Sequence, residues 1–238
     1  PTGSGKTQTL YSLLDMLNRP NKNINTVEDP IEITLPGINQ TAIKPDIGLT
    51  FAATLRSLLR QDPDIIMLGE IRDEETATIA IRAAQTGHLV LSTLHTNSAL
   101  QSIQRLINMG IAPYNLAHNI NIIVAQRLIR TLCSKCKVPL NKNERLLAQQ
   151  QFSIPPSAQT LYKPQGCELC QQGYSGRTAI FEYVTGSDTL NDFILTSTTA
   201  TNNKTSRLVA ATLMDTAVNA AINGDTSINE IFRVLCHA

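Results

Sequence analysis

The sequence predicts an α/β protein built on a parallel β-sheet that carries a phosphate-binding loop. Three observations predict this class: a P-loop-like heptapeptide, short strands that alternate with helices, and polar side chains directly after three strands. Alternating strands and helices are typical of a parallel sheet that is covered on both faces. Such sheets bind ligands at the carboxyl ends of their strands, so we expect the polar clusters to face one ligand.

The first seven residues, Pro-Thr-Gly-Ser-Gly-Lys-Thr, match the P-loop pattern G-x-x-x-x-G-K-[ST] in all but its first glycine. In such a loop, backbone N–H groups and the start of the next helix bind nucleotide phosphates. We expect Lys6 to reach the β- and γ-phosphates and the Thr7 hydroxyl to ligate magnesium. The predicted phosphate-binding residues are Pro1, Thr2, Gly3, Ser4, Gly5, Lys6 and Thr7. We also expect a strand and further sequence before this loop, so that the chain is a piece of a longer nucleotide triphosphatase.

Hydrophobic periodicity and helix-breaking residues define the elements that follow the loop. Leucines at positions 10, 13, 14 and 17 predict an amphipathic helix. The apolar run Ile65 to Leu68 predicts a fully buried strand. A helix is predicted after this strand, and Gly87 is expected to end that helix. The predicted helices are 7–17, 51–60, 73–86 and 98–109, and the predicted strands are 24–27, 65–68 and 88–94.

The residues that follow the three strands supply the candidate catalytic groups. Glu70 follows the buried strand, where an acidic residue can hold the water shell of magnesium or orient the attacking water. Glu28, Asp29 and Glu32 form a second acidic cluster, in which a carboxylate near the γ-phosphate can deprotonate water. His95 follows the third strand and is a candidate sensor of the γ-phosphate.

Each of these residues also has a simpler explanation. Asp-Pro at positions 29 and 30 also makes an ordinary turn, and a histidine such as His95 is more often structural than catalytic. We expect three arginines, at positions 56, 60 and 72, on the solvated surface rather than in a neighbouring site.

Two C-x-x-C pairs, at Cys133 and Cys136 and at Cys167 and Cys170, predict one tetrahedral zinc site. Four thiolates leave no open position on the metal, so such a site is structural. The alternative is a set of four free thiols. A fifth cysteine, Cys236, has no pair and is expected to be buried near the C-terminus.

Composition excludes some function classes. The formal net charge is +1, aromatic residues are 4% of the chain, and tryptophan is absent, which makes nucleic acid an unfavourable partner. The apolar runs are too short to span a bilayer.

Near the C-terminus, Ser227 and Glu230 predict a capping box, and residues 195–206 predict a surface connection.

Taken together, the motifs resemble those of the secretion ATPases, the GspE/PilB-like motors of type II secretion and type IV pilus assembly. The resemblance covers nearly the whole chain. It depends on the P-loop and on segments 26–32 (TVEDPIE), 59–64 (LRQDPD), 69–73 (GEIRD), 86–88 (TGH), 92–97 (STLHTN), 126–133 (QRLIRTLC) and 173–178 (GYSGRT).

The resemblance implies a RecA-like ATPase core with a zinc-binding insertion and a C-terminal helical subdomain, over residues 1–130, 131–178 and 179–238. It implies ATP, Mg²⁺ and Zn²⁺ as cofactors. Among the acidic residues, Glu32 is the best match to the family's catalytic glutamate and Glu28 the second; Asp29 is placed with the nucleotide. The family's histidine motif falls on residues 88–95.

The resemblance also implies a homo-hexamer on the cytoplasmic face of the bacterial inner membrane, where it would move a polytopic platform protein. Three alternatives stay open: a DNA-uptake or DNA-transfer motor of related design, a zinc-stabilised nucleic-acid-binding module regulated by ATP, and a ring component that does not hydrolyse ATP. We expect the chain alone to hydrolyse ATP poorly, because the family's N-terminal domain contributes to the site.

Overall fold

The computed structural model describes residues 3–158, 160–196 and 208–236. The chain forms two compact units. The sheet unit comprises residues 6–123 and 184–208, and the cysteine unit comprises residues 1–5, 124–183 and 209–238. Most of the predicted surface connection lies outside the described residues. The division into three domains stays a prediction.

The sheet unit is built on four parallel strands in the order β2-β1-β3-β4. They are β1 (Ile24–Glu28), β2 (Asn39–Ala42), β3 (Ile65–Leu68) and β4 (Leu89–Ser92). Every residue of β1 and β3 is buried, whereas β2 and β4 at the two edges are partly exposed. β3 is a continuous apolar run, as expected where both faces of a parallel sheet are covered, whereas β1 is equally buried but carries polar side chains and ends at Glu28. The predicted parallel α/β architecture is confirmed.

Helices connect these strands, and some of them begin at a side chain that accepts a backbone N–H. Thr50, Asp73 and Ser98 cap the helices that follow them. The helices of this unit are α1 (Lys6–Leu17), α2 (Phe51–Leu58), α3 (Glu74–Gln85), α4 (Ala99–Asn108), α5 (Pro113–Leu116) and α7 (Asp188–Thr196). In the part of the chain that the structure describes, no helix has the length and apolar character required to cross a bilayer.

Helix α1 packs on the sheet through Tyr11 and Leu14, which join Ile24, Ile65 and Met67 in one buried cluster. The predicted leucine stripe is therefore wrong at one position, because Leu13 is 40% exposed. A helix turns about 100° per residue, so Leu13 points away from the face that Tyr11 and Leu14 share. The ring of Tyr11 occupies the buried position that was predicted for Leu13.

The cysteine unit contains two small sheets and several helices. β5 (Ile122–Leu132) pairs with β8 (Tyr174–Thr185), and β6 (Val138–Pro139) pairs antiparallel with β7 (Tyr162–Lys163). The helices are α6 (Lys142–Gln151), α8 (Leu213–Ile222) and α9 (Ile228–Ile231), and a π-helical turn follows at Phe232–Cys236.

The predicted capping box at the start of α9 is only half formed. Ser227 caps the helix by accepting the N–H of Glu230, but the Glu230 carboxylate turns away from Ser227. It accepts the backbone N–H of Arg130 at 2.9 Å and hydrogen bonds from the guanidinium groups of Arg130 and Arg233 at 2.6–2.9 Å. Charged donors bind a buried carboxylate more strongly than a neutral N–H does, which explains the difference.

We predict that the Glu230→Gln variant lowers the free energy of unfolding by about 1.5–3 kcal/mol at pH 7, since it removes the charged acceptor of the hydrogen bonds from Arg130 and Arg233. The two arginines overcome the burial penalty and lower the pKa of Glu230 from 4.5 to about 2. The corresponding stability, about 3 kcal/mol, is present above pH 4.5 and is lost as the pH falls toward 2. Urea unfolding of wild type and variant between pH 7 and pH 3 measures both effects.

The control is Glu75→Gln, which removes an exposed pair with Arg56 and is expected to cost no more than about 1 kcal/mol. An equal loss in the two variants, or a gap between wild type and Glu230→Gln that stays constant into acid, contradicts the prediction.

Candidate nucleotide-binding and metal sites

The first described residues form the tight turn that a phosphate-binding loop requires. Gly3 and Gly5 have φ angles of +75° and +83°, a backbone conformation that glycine adopts without steric cost. Ser4 between them is buried, and α1 begins directly afterwards at Lys6. Pro1 and Thr2 lie outside the described residues. A turn of this kind leads the chain into a helix N-terminus, which attracts anions through its backbone N–H groups and its dipole.

The turn is held by Gln126, to which the sequence analysis assigned no role. Its side-chain Nε2 donates to the carbonyl oxygen of Ser4 at 2.8 Å. A Cβ atom on Gly5 would lie 3.0 Å from the same Nε2. The only sequence signal for this contact is the place of Gln126 at the start of the 126–133 motif.

The structure brings together the polar residues that follow β1, β3 and β4. The Glu70 carboxylate lies 3.1 Å from His95 Nε2, and the Arg72 guanidinium lies 3.3 Å from the Asp29 carboxylate. Arg72 also forms a short hydrogen bond with Glu70. Because the three strands are parallel, their carboxyl ends lie on the same side of the sheet, which brings the three clusters close together.

Arg72 organises the charges at this edge. Its hydrogen bond holds the pKa of Glu70 below the usual value, although the half-buried position of Glu70 acts in the opposite direction. Glu70 is therefore ionised at neutral pH. The expectation that Arg72 lies on the surface is correct, with the side chain 53% exposed, but it also pairs with two carboxylates.

The two glutamates of the acidic cluster have opposite environments. Glu28 is 2% exposed and its carboxylate accepts hydrogen bonds from Tyr11, Thr26 and Gln40. Glu32 is exposed, and its Oε1 lies 3.4 Å from the hydroxyl of Thr7 in the first turn of α1. Of these two glutamates, Glu32 is therefore the one whose carboxylate is open to a ligand beside the P-loop helix.

The four paired cysteines of the cysteine unit converge. Their Sγ atoms all lie within 4.8 Å of one another, and three of the separations are 3.9 Å (Cys133 to Cys167), 3.6 Å (Cys136 to Cys170) and 3.6 Å (Cys167 to Cys170). A tetrahedral zinc with bonds of about 2.3 Å sets its sulfurs about 3.8 Å apart. The donor set and spacing fit one zinc ion.

Cys236 lies outside this cluster, and its predicted burial is wrong: the residue is exposed. It follows the apolar side chains of α9 on a π-helical turn, and the wider turn changes which face each residue presents.

A parallel sheet with a P-loop turn and with acids and a histidine at its carboxyl edge defines a P-loop nucleotide-binding α/β protein. Comparison with known families makes the class specific. The family model described as "Type II/IV secretion system protein" matches residues 1–233, and the chain belongs to this family.

Curated relatives agree with this assignment. The chain is 48% identical over 245 residues to the type IV pilus assembly ATPase PilB of Acinetobacter baylyi, with 98% of this chain and 41% of that protein covered. It is 46% identical over 237 residues to the type II secretion system protein E of Pseudomonas aeruginosa, with 98% and 47% covered. The chain therefore spans less than half the length of these relatives.

Solved structures show the same fold. The crystal structure of the pilus retraction motor PilT with bound ADP matches with a TM-score of 0.71 and 27% sequence identity, and the match covers 98% of this chain and 58% of that one. This likeness confirms the predicted fold class.

We predict that Gly5→Ala destabilises the protein more than Gly3→Ala does. Both substitutions place a side chain on left-handed backbone, but an added Cβ meets Gln126 at Gly5 and nothing within 4 Å at Gly3. The difference corresponds to the Gln126–Ser4 hydrogen bond, about 1 kcal/mol. Urea unfolding without nucleotide measures it. Equal losses in the two variants contradict the prediction.

Proposed function

We propose that this chain is the ATP-hydrolysing part of a motor that drives filament assembly in type IV pilus biogenesis or type II secretion. The observation that carries the proposal is the position of Glu32 at 3.4 Å from the Thr7 hydroxyl, which places an open carboxylate beside the P-loop helix. Membership of the secretion family and the names of the relatives, an assembly ATPase and a secretion protein, support the cellular role.

In this proposal the loop residues hold the triphosphate through their backbone N–H groups, and Lys6 neutralises the β- and γ-phosphates. Thr7 would ligate Mg²⁺, which when bound polarises the phosphate oxygens and neutralises the developing charge. The proposed nucleotide-binding residues are Pro1, Thr2, Gly3, Ser4, Gly5, Lys6, Thr7 and Asp29.

The proposed hydrolysis is an in-line attack of water on the γ-phosphorus of ATP. The Glu32 carboxylate orients this water and accepts its proton, while the bond between the γ-phosphorus and the β–γ bridging oxygen breaks to release ADP. Glu70, which pairs with Arg72, would orient the water shell of a bound Mg²⁺. His95, which pairs with Glu70, acts as a sensor: its contact would change when the γ-phosphate is lost, and it follows β4 directly in the chain.

Glu28, the second candidate for the catalytic base, is proposed as a positioning residue. Its carboxylate accepts hydrogen bonds from three donors and the residue is 2% exposed, so it is not open to an attacking water. A catalytic carboxylate has to lie within hydrogen-bond reach of the water that it deprotonates.

The cysteine cluster is proposed to bind a structural Zn²⁺ through Cys133, Cys136, Cys167 and Cys170. Bound zinc joins the two knuckles, which lie 34 residues apart in the chain, and stabilises the fold of this unit. With four thiolates the metal has no site for water, so it takes no part in hydrolysis.

The partners follow from the family resemblance. We propose a homo-hexamer that works at the cytoplasmic face of the inner membrane and transmits force to a polytopic platform protein. The formal net charge of +1 gives no field that would favour nucleic acid as the substrate of the motor.

We predict that Lys6→Ala, made in the protein at its full natural length, lowers ATP turnover about 100-fold or more and abolishes filament assembly in cells. Glu32→Gln is expected to keep ATP binding but to lose turnover to a similar degree. A fluorescent ATP analogue measures binding, and phosphate release measures turnover.

The control is Lys22→Ala, which removes a lysine paired with Asp64 at the amino ends of β1 and β3, away from the candidate site. It is expected to keep turnover within about twofold. Filament assembly that survives Lys6→Ala would identify a ring component without hydrolysis, and turnover that survives Glu32→Gln excludes the assigned base.

We predict that the purified protein contains about one zinc ion per chain and that Cys133→Ser and Cys170→Ser lose most of it. Mass spectrometry of metals measures the content, and thermal unfolding with a zinc chelator measures its contribution to stability. Cys236→Ser is the matched control, because this thiol is exposed and outside the cluster. Folded zinc-free protein, or equal zinc loss in Cys236→Ser, contradicts the zinc assignment.

A further inference from the structure

The hydroxyl group of Tyr11 attaches the backbone of the loop that carries Glu32 to helix α1. The hydroxyl of Tyr11 donates a short hydrogen bond to Oε2 of Glu28. The hydroxyl oxygen of Tyr11 also accepts the backbone N–H of Glu32 at 3.2 Å. Tyr11 therefore contacts both ends of the short segment between Glu28, which is buried, and Glu32, which is exposed.

Burial fixes the position of this hydroxyl. Tyr11 is 3% exposed, and its ring packs in the cluster that joins α1 to β1 and β3. Burial, with the hydrogen bond to Glu28, raises the pKa of Tyr11 above 10. The hydroxyl is therefore neutral at physiological pH, and it can donate to Glu28 while its lone pairs accept the Glu32 N–H.

Gln40 braces the other side of the same loop. Its Nε2 donates to Glu28 Oε1 and to the Ile33 carbonyl oxygen, each at 3.0 Å. Its Oε1 accepts the Leu35 N–H at 2.6 Å. The backbone on both sides of Glu32 is thus attached to side chains that meet at the Glu28 carboxylate.

We propose that Tyr11 is a positioning residue for the hydrolytic reaction: its hydroxyl sets the place of Glu32 relative to the P-loop helix. This inference rests on the proposed role of Glu32. The same helix α1 carries Thr7 in its first turn and Tyr11 one turn later. The distance between Thr7 and the Glu32 carboxylate therefore depends on the contact that Tyr11 makes with the Glu32 backbone.

The test compares Tyr11→Phe with wild type in the protein at its full length, measuring kcat and KM for ATP. The ring stays in the core while the hydroxyl is lost. We expect kcat to fall about 10- to 100-fold, because a misplaced catalytic group costs rate, with KM within about twofold because the phosphate loop is intact. Gln40→Met, which keeps the side-chain volume and loses the hydrogen bonds, is expected to lower kcat in the same direction.

A matched control separates positioning from loss of stability. Tyr174→Phe removes another buried tyrosine hydroxyl, bonded to Ser227 at 2.7 Å in the cysteine unit. We expect it to lower the melting temperature to a similar extent and to keep kcat within about twofold, since each variant loses a buried hydroxyl group that forms hydrogen bonds.

The decisive measurement is made in the Glu32→Gln background by single turnover of radiolabelled ATP. If Tyr11 acts through Glu32, adding Tyr11→Phe changes the residual rate by less than about twofold, because residues that act as a unit are not additive. A further 10-fold loss in that background, or a normal kcat in Tyr11→Phe alone, overturns this inference and leaves the proposed function intact. Normal turnover in Glu32→Gln overturns the role of Glu32, and that of Tyr11 with it.

Discussion

The buried carboxylate of Glu28 is the constraint on which the geometry of the sheet unit depends. A charge removed from water is costly unless it is fully hydrogen-bonded. Its donors come from three different elements: Tyr11 on α1, Thr26 on β1 and Gln40 on β2. Satisfying this one group therefore sets the position of the P-loop helix relative to two strands and to the acidic loop.

A second acid has the same function in the cysteine unit. Glu230 is completely buried and takes its donors from Arg130, which is 100 residues away in sequence, and from Arg233. Arg130 in turn stacks on the ring of Tyr174, 4.0 Å from its centroid. Arg130 on β5, Tyr174 on β8 and Glu230 on α9 are thus linked through one buried carboxylate. Each unit thus combines an apolar core with one buried acid whose donors come from separate segments of the chain.

The candidate site shows how burial separates residues that look alike in sequence. Glu28 and Glu32 both belong to one acidic motif, and both are plausible bases from their residue type. The structure makes one a satisfied interior group and the other an open carboxylate beside Thr7. Arg72 is a surface residue, as its sequence context predicts, and the structure adds that its guanidinium group pairs with Asp29 and Glu70.

The sequence by itself determined the parallel α/β class, the P-loop, the four-cysteine cluster and the family, because each depends on local spacing or on the order of short elements. It did not determine the partners of Glu28 or Glu230, the burial of Tyr11 in place of Leu13, or the contact of Gln126 with Ser4. Those were decided only by the tertiary structure. The physical reason is that a buried polar group takes its donors from whatever remote segments the packed core brings within 3 Å or so, and local patterns carry no record of them.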